Sequence, residues 1–166
     1  MALGNTHAAA LYTAPSMPAA GRFNMCGYAA PALETVRVGI IGLGNRGPGA
    51  VEQLSKIEGV DIRALCDLRR EKAEEALQLL KDTSHKPELY TGSEDAWKKL
   101  CDRNDLDLVY VATPWHLHAR MAAQVMESGK HVAVEVPAAV TLEECWNLVR
   151  TSEKTRRHCI ILENCC

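Results

Sequence analysis

Aromatic residues are scarce, with three Trp, four Tyr and one Phe making 5% of 166 residues. That is too few for a base-stacking platform of the kind that holds single-stranded nucleic acid. An excess of one charge is also lacking. Nineteen Lys and Arg stand against 21 Asp and Glu, a net charge of −2, so no basic stripe marks a nucleic-acid partner. The longest apolar runs are strand-sized, and none is fit to span a bilayer. None of the seven cysteines forms a C-x-x-C pair, which removes the zinc-knuckle and thioredoxin-type readings. Most of them lie in apolar segments, where cysteine acts as a small hydrophobe, and reduced thiols are expected. What remains is an ordinary globular composition, 47% hydrophobic and 24% charged, in a length that suits one domain with a real core.

Residues 1–30 are rich in Ala, Pro, Gly and Ser, lack a basic start, and are interrupted by Asn5 and His7. They read as a flexible leader rather than a working signal peptide. The division expected is a leader over 1–33 and one α/β domain over 34–166. Location stays open: cytoplasmic by default, periplasmic or exported if the leader is a trimmed signal.

After the leader, short apolar runs alternate with amphipathic stretches. Strands are expected at Val36–Ile41, Val60–Cys66, Glu88–Thr91, Leu108–Ala112, His131–Glu135 and Cys159–Glu163. Helices are expected at Pro48–Glu58, Arg69–Lys81, Glu94–Cys101 with Ser93 as N-cap, Leu117–Ser128, and from a Thr141/Glu144 capping box to Thr155. Runs apolar on both faces imply a parallel sheet covered on both sides. The fold class is therefore α/β, a doubly wound Rossmann sheet of about six strands in the order 3-2-1-4-5-6. Three residues follow the last expected strand, so a C-terminal substrate domain is expected to be absent and some apolar surface left open.

Chemistry concentrates at the carboxyl ends of these strands, where ligands sit in this fold. Gly42-Leu43-Gly44-Asn45-Arg46-Gly47 is a G-x-G-x-x-G that follows a strand and opens a helix, the context that separates a dinucleotide loop from a mere glycine-rich turn. Gly42 suits the tight turn, Gly44 a close approach of backbone to pyrophosphate, and Gly47 close helix–strand packing. The helix start then offers free N–H groups to phosphate. Asp67 lies 20 residues past Gly47. An acid there hydrogen-bonds the adenosine ribose and favours NAD over NADP, and helix capping is a compatible second role. Arg69 and Arg70 are the counter-signal for NADP.

Thr113-Pro114-Trp115-His116-Leu117-His118 follows the fourth strand. Trp115 is placed to wall a cofactor and His118 to face its nicotinamide end. The H-x-H spacing has no companion ligand cluster, so no metal is expected. Glu135-Val136-Pro137 ends the fifth strand. A buried carboxylate there needs partners, either ligand hydroxyls or backbone N–H groups of the Pro137 turn. Asn164, after the sixth strand, is placed near the nicotinamide side, and the adjacent Cys165 and Cys166 are not expected to bridge.

Val38 through Gly44, Asp67, Ala112-Thr113-Pro114 and Gly129-Lys130-His131-Val132 resemble the N-terminal half of the Gfo/Idh/MocA oxidoreductases. Most members read E-K-P at the end of strand five. Val136 stands here in place of that lysine, which argues against ordinary sugar-alcohol oxidation. The segment from Thr113 to His118, Gly129 to Pro137, Glu143-Glu144-Cys145-Trp146 and Leu162 to Cys166 resemble a narrower branch, the NAD-dependent glycosidases of glycoside hydrolase family 109, whose activity is on α-N-acetylgalactosaminides. That resemblance implies NAD contacts at Asn45, Arg46, Asp67, Trp115, His116, Leu117, His118, Glu135, Val136 and Asn164. It also implies a mechanism: transient oxidation at sugar C3, loss of the C2 proton, elimination of the aglycone, addition of water and return of the hydride. NAD is then not consumed, unlike in the two-carboxylate scheme. The family's Tyr and His acid/base groups lie past Cys166, so no catalytic residue is assigned here, and the 166 residues are expected to bind NAD without turnover. A sugar partner would need the C-terminal domain. The rival readings are an NAD-dependent sugar dehydrogenase domain and a non-enzymatic truncated nucleotide-binding remnant.

Overall fold

The computed structural model describes residues 23–163. The expected contact at Asn164 and the Cys165–Cys166 pair lie outside them. The described chain alternates strand and helix throughout: β1 (Val36–Ile41), α1 (Gly47–Leu54), β2 (Val60–Cys66), α2 (Arg70–Gln78), β3 (Glu88–Tyr90), α3 (Ala96–Cys101), β4 (Leu108–Val111), α4 (Trp115–Glu127), β5 (His131–Val134), α5 (Leu142–Thr155) and β6 (Cys159–Ile161). The strands form one parallel sheet in the order β3-β2-β1-β4-β5-β6.

Strand alternation, offset by one residue at Arg63 of β2, explains the two-sided apolar pattern. Val38, Ile40, Ile62 and Leu65 point to one face, where Leu43, Val51, Ala73, Ala76 and Leu80 meet them under α1 and α2. Ile41, Ala64, Val109, Val111, Val132 and Val134 point to the other face, against Trp97, Leu100, Ala122 and Met126 from α3 and α4 and Leu148 from α5. Order reversal between β1 and β4 sends the helices to opposite faces, because parallel crossovers are right-handed. It also opens the crevice between the ends of β1 and β4.

Some boundaries differ from expectation. α1 and α2 stop at Leu54 and Gln78, and the chain tightens into i→i+3 turns, such as Lys56 N–H to Gln53 O and Leu80 N–H to Leu77 O. Ser93 does not cap α3. Its hydroxyl accepts from Asp95 N–H at 3.2 Å, a turn ahead of the helix. α4 starts two residues earlier than expected, with Pro114 as N-cap, so Trp115 and His116 are helical. The capping box of α5 is present: Thr141 Oγ1 accepts from Glu144 N–H at 3.2 Å, and Glu144 Oε2 accepts from Thr141 N–H at 3.1 Å.

Within residues 23–33, expected in the leader, two aromatic rings pack together and against the domain. The Tyr28 ring packs on His158 at 5.4 Å between centroids, and Phe23 meets Tyr28 edge-on at 5.8 Å. Such contacts join distant segments and leave no periodic trace in sequence. Leu142, Trp146 and Val149 on α5 and Ile160 and Ile161 on β6 stay exposed. Among the described residues no helix is long and apolar enough to cross a membrane.

Two charged clasps hold the sheet. Lys130, buried, donates from Nζ to Cys101 O at 2.7 Å and Ser128 O at 2.9 Å, so one cation closes the carboxyl ends of α3 and α4. Burial lowers its pKa from the ordinary lysine value. Asp107, just before β4, accepts from Arg37 N–H, Nε and Nη2 at 2.9, 2.8 and 2.6 Å, which ties β1 to β4. The Arg37 hydrogen bonds hold the Asp107 carboxyl below the usual value, against the opposing effect of burial. A depressed pKa stabilises the fold above the unfolded value of about 3.9 and loses that contribution as pH falls through the folded value. Urea denaturation between about pH 5 and about pH 3 is expected to show stability falling, with a shallower slope in Asp107→Asn. An equal slope in the variant would show that the clasp does not carry the acid sensitivity.

Candidate functional site

The site is built where the chain leaves β1. Gly42 has φ +92°, and a Cβ there would lie 2.5 Å from Ala112 O at the end of β4. Only glycine permits both the left-handed backbone and that approach. A Cβ on Gly47 would fall on Gly42 O, so the start of α1 is pressed under the turn. Gly44 differs: a Cβ there would meet nothing within 4 Å. Its missing side chain leaves open space over the loop backbone rather than relieving a protein contact. No side chain caps α1 and no acid occupies its first turn, so the helix start presents N–H groups and a positive dipole end to this space.

Asp67 follows β2 and closes the loop from the side. Its Oδ2 accepts from Leu43 N–H at 2.8 Å and its Oδ1 from Arg69 N–H at 2.9 Å. Arg69 is the N-cap of α2 and makes no side-chain cap bond, so Asp67 shapes the turn before the helix rather than capping it. A cleft of about 710 Å³ runs from Asp67 and Arg69 past Gly44, Asn45 and Arg46 to Thr113, His116 and Leu117. A second cavity of about 290 Å³ adjoins it, bounded by Trp115, Glu135 and Val136, and shares Arg46 and Thr113 with the first. Twelve of the expected site residues thus line one groove, with Gly47 beneath it.

His118 borders the second cavity, but its ring is taken up by the protein. It is 1% exposed, with Nδ1 2.8 Å from Pro137 O and Nε2 2.7 Å from Thr113 O. Each neutral tautomer donates to one of these two carbonyls, and the ring sits wedged between the turn after β4 and the turn after β5. The reason is helical phase: His118 shares its face of α4 with Met121, Ala122 and Val125, all buried. His116 lines the larger cleft instead.

Glu135 also finds other partners than expected. Its Oε1 accepts from Tyr110 Oη at 2.6 Å and lies 3.4 Å from Arg46 Nε. Neither the Pro137 turn nor a ligand is needed to satisfy that oxygen. Burial and the neighbouring carboxylate both push the Tyr110 hydroxyl's pKa up, so it stays a donor. Tyr110 was missed because it sits inside a short apolar strand. The signal was there in the pairing: Tyr110 is opposite Ala133, two residues from Glu135 and on the same face. Cys66, at the floor of the cleft, is no nucleophile, since burial pushes its thiol up to about 12.

The glycines separate by experiment. Gly47→Ala is expected to cost about 1–3 kcal/mol in urea denaturation, since backbone must move. Gly44→Ala should change stability by less than about 0.5 kcal/mol, yet weaken dinucleotide binding roughly tenfold or more by calorimetry. Unimpaired binding in folded Gly44→Ala would remove the loop from the site. Tyr110→Phe leaves Glu135 one donor short and is expected to cost about 1 kcal/mol of stability. No loss would mean that water replaces the hydroxyl.

Comparison with known proteins gives the groove its family. Residues 36–162 match the profile of the Gfo/Idh/MocA family, described as an oxidoreductase family with an NAD-binding Rossmann fold. The chain is 60% identical over 136 residues to a glycosyl hydrolase family 109 protein of Porphyromonas gingivalis, covering 81% of this chain and 29% of that one. It is 51% identical over 144 residues to an alpha-N-acetylgalactosaminidase of Bacteroides fragilis, covering 86% of this chain and 34% of that one. It therefore spans about a third of the length of these curated relatives. Among solved structures, an NAD-binding protein from Listeria innocua superposes with a TM-score of 0.67 at 24% identity, over 78% of this chain and 36% of that one, a likeness of fold. With the matched region running from β1 through β6, the chain belongs to the Gfo/Idh/MocA oxidoreductase family, as its NAD-binding Rossmann domain.

Proposed function

We propose that this chain is the cofactor-holding domain of an NAD-dependent glycosidase acting on α-N-acetylgalactosaminides. The observation that carries the reading is the 51% identity to a protein named for that activity. Val136 supports it, because the side chain at the mouth of the second cavity is apolar where the family's dehydrogenases resemble one another in carrying lysine.

The groove fits NAD by its own geometry. The open space over Gly44 and the uncapped start of α1 suit a pyrophosphate. Asp67 offers carboxylate lone pairs to the adenosine ribose. Glu135, held through Oε1 by Tyr110, offers its other oxygen at the second cavity to hydroxyls of the nicotinamide end. Trp115 and Val136 give that cavity apolar walls. NAD, when bound, supplies a hydride acceptor and donor. This chain's residues bind and orient it. Val136 carries no ionisable group and exchanges no proton.

The whole protein's turnover is tested by completing the chain with the remainder of the Porphyromonas gingivalis relative and supplying NAD and a p-nitrophenyl α-N-acetylgalactosaminide. The expected result is phenolate release with no net NADH, and no release from the 166 residues alone. NADH accumulating in step with an oxidised sugar would instead assign a dehydrogenase. Release by the 166 residues alone would overturn the restriction of this chain to cofactor binding.

A further inference from the structure

Four rings follow one another at the amino ends of β5 and β6, the opposite end of the sheet from the groove. Phe23 meets Tyr28, Tyr28 packs on His158, and His158 stacks on His131 with 5.2 Å between centroids and 26° between planes. One hydrogen bond fixes the protonation of this stack. His131 Nδ1 accepts from the His158 N–H at 2.9 Å. An accepting Nδ1 carries a lone pair, so the His131 ring is neutral with its proton on Nε2. His158 is held on its other side too, since Val132 N–H donates to His158 O at 2.9 Å. β6 begins at the next residue, is three residues long and lies at the sheet edge against β5. The start of β6 and the segment that carries Tyr28 therefore share one anchor, His158.

We propose that His131 and His158 form an acid-released clasp: a proton taken up at His131 Nδ1 frees His158, and with it the start of β6 and the segment that carries Tyr28. The proton occupies the lone pair that accepts from the His158 N–H, so two donors then face each other and the N–H loses its partner. It also places a cation among cations. Arg157 precedes His158, and its Nε is buried with no hydrogen-bond partner among the described residues. The His158 ring, stacked on His131, is a second site for a proton. Lys130 adjoins along the chain and is committed to Cys101 O and Ser128 O. From the N-terminal segment Tyr28 is the group that faces His158, and Arg156 lies over the Phe23 ring at 4.7 Å. The one acid acting on His131 is Asp107, before β4, which Arg37 of β1 already engages. Burial, Arg157 and His158 together lower the His131 pKa from its ordinary value, against the pull of Asp107. A histidine so depressed contributes its stability above the unfolded value of about 6.5 and loses it as pH falls through the folded value. That loss begins well above the unfolded value of about 3.9 below which Asp107 takes up its own proton.

The whole chain is titrated by NMR from about pH 7.5 to about pH 5, reading the His131 ring nitrogens and the amides of His158 and Tyr28. At the upper end His131 is expected as the Nε2–H tautomer. On acidification, ring protonation and the shifts of both amides should follow one curve with a midpoint below about 6.5. Hydrogen-exchange protection of the His158 amide should fall roughly tenfold or more, while Val109 and Val111 in the central β4 keep theirs. His131→Asn keeps a carbonyl oxygen close to the Nδ1 position and takes up no proton, so the transition should vanish. His158→Phe keeps the N–H and a ring in the stack, so the transition should remain. An Nδ1–H tautomer at neutral pH overturns the inference, as does a ring still neutral at about pH 5. So does a His131 that titrates with no change at His158 and Tyr28, or protection lost equally in β4, which is global unfolding. A transition that survives in His131→Asn, or is lost in His158→Phe, places the deciding proton elsewhere and overturns it as well. If His131→Asn does not fold, the wild-type tautomer and the coincidence of the ring and amide curves decide.

Discussion

Backbone contact at the end of β1 is the constraint on which the site depends. Two places where no side chain fits, Gly42 against Ala112 and Gly47 against Gly42, bring strand, turn and helix closer than any other residue allows. That closeness puts the start of α1 beside the crevice between β1 and β4, where the sheet order reverses. The features proposed for a pyrophosphate follow from it, the uncapped helix start and the open space over Gly44, and so does the reach of Asp67 to the Leu43 N–H. A side chain at either position would push the helix off the strand and take the N–H groups away from the groove.

Around that contact, the polar side chains bordering the groove are each held by another element. Asp67 comes from the end of β2 and bonds the loop after β1. Glu135 comes from the end of β5 and is held by Tyr110 of β4 and Arg46 of the loop. His118 of α4 reaches both the turn after β4 and the turn after β5. The groove is therefore pre-organised by bonds that cross between strands. This is the condition for holding a cofactor in one orientation at low entropic cost.

Much of the fold was legible in the sequence, because its signals are local. Apolar runs on both faces marked buried parallel strands, and all six expected strands are found in the expected order. The Thr141/Glu144 box works as read, since both of its bonds lie within one turn. Helix ends were less legible. Whether the chain after Leu54 or Gln78 stays α-helical depends on what the next turn must reach. The start of α4 was misplaced because Pro114 serves as its N-cap, where a proline also reads as a loop.

In the site the division is sharper. The sequence by itself determined the glycine loop, Asp67 and the family, because fixed spacing along one strand–turn–helix unit carries their geometry. Tertiary structure alone decided what the polar side chains touch. It turned His118 inward onto Thr113 and Pro137, gave Glu135 a tyrosine partner from the neighbouring strand, and separated Arg69 in the cleft from Arg70 on the surface. The physical reason is range. Backbone turns and helix caps are set by residues within a few positions of one another. A buried polar group must find its partner across the sheet, and that partner is named only once the strands have chosen their order and register.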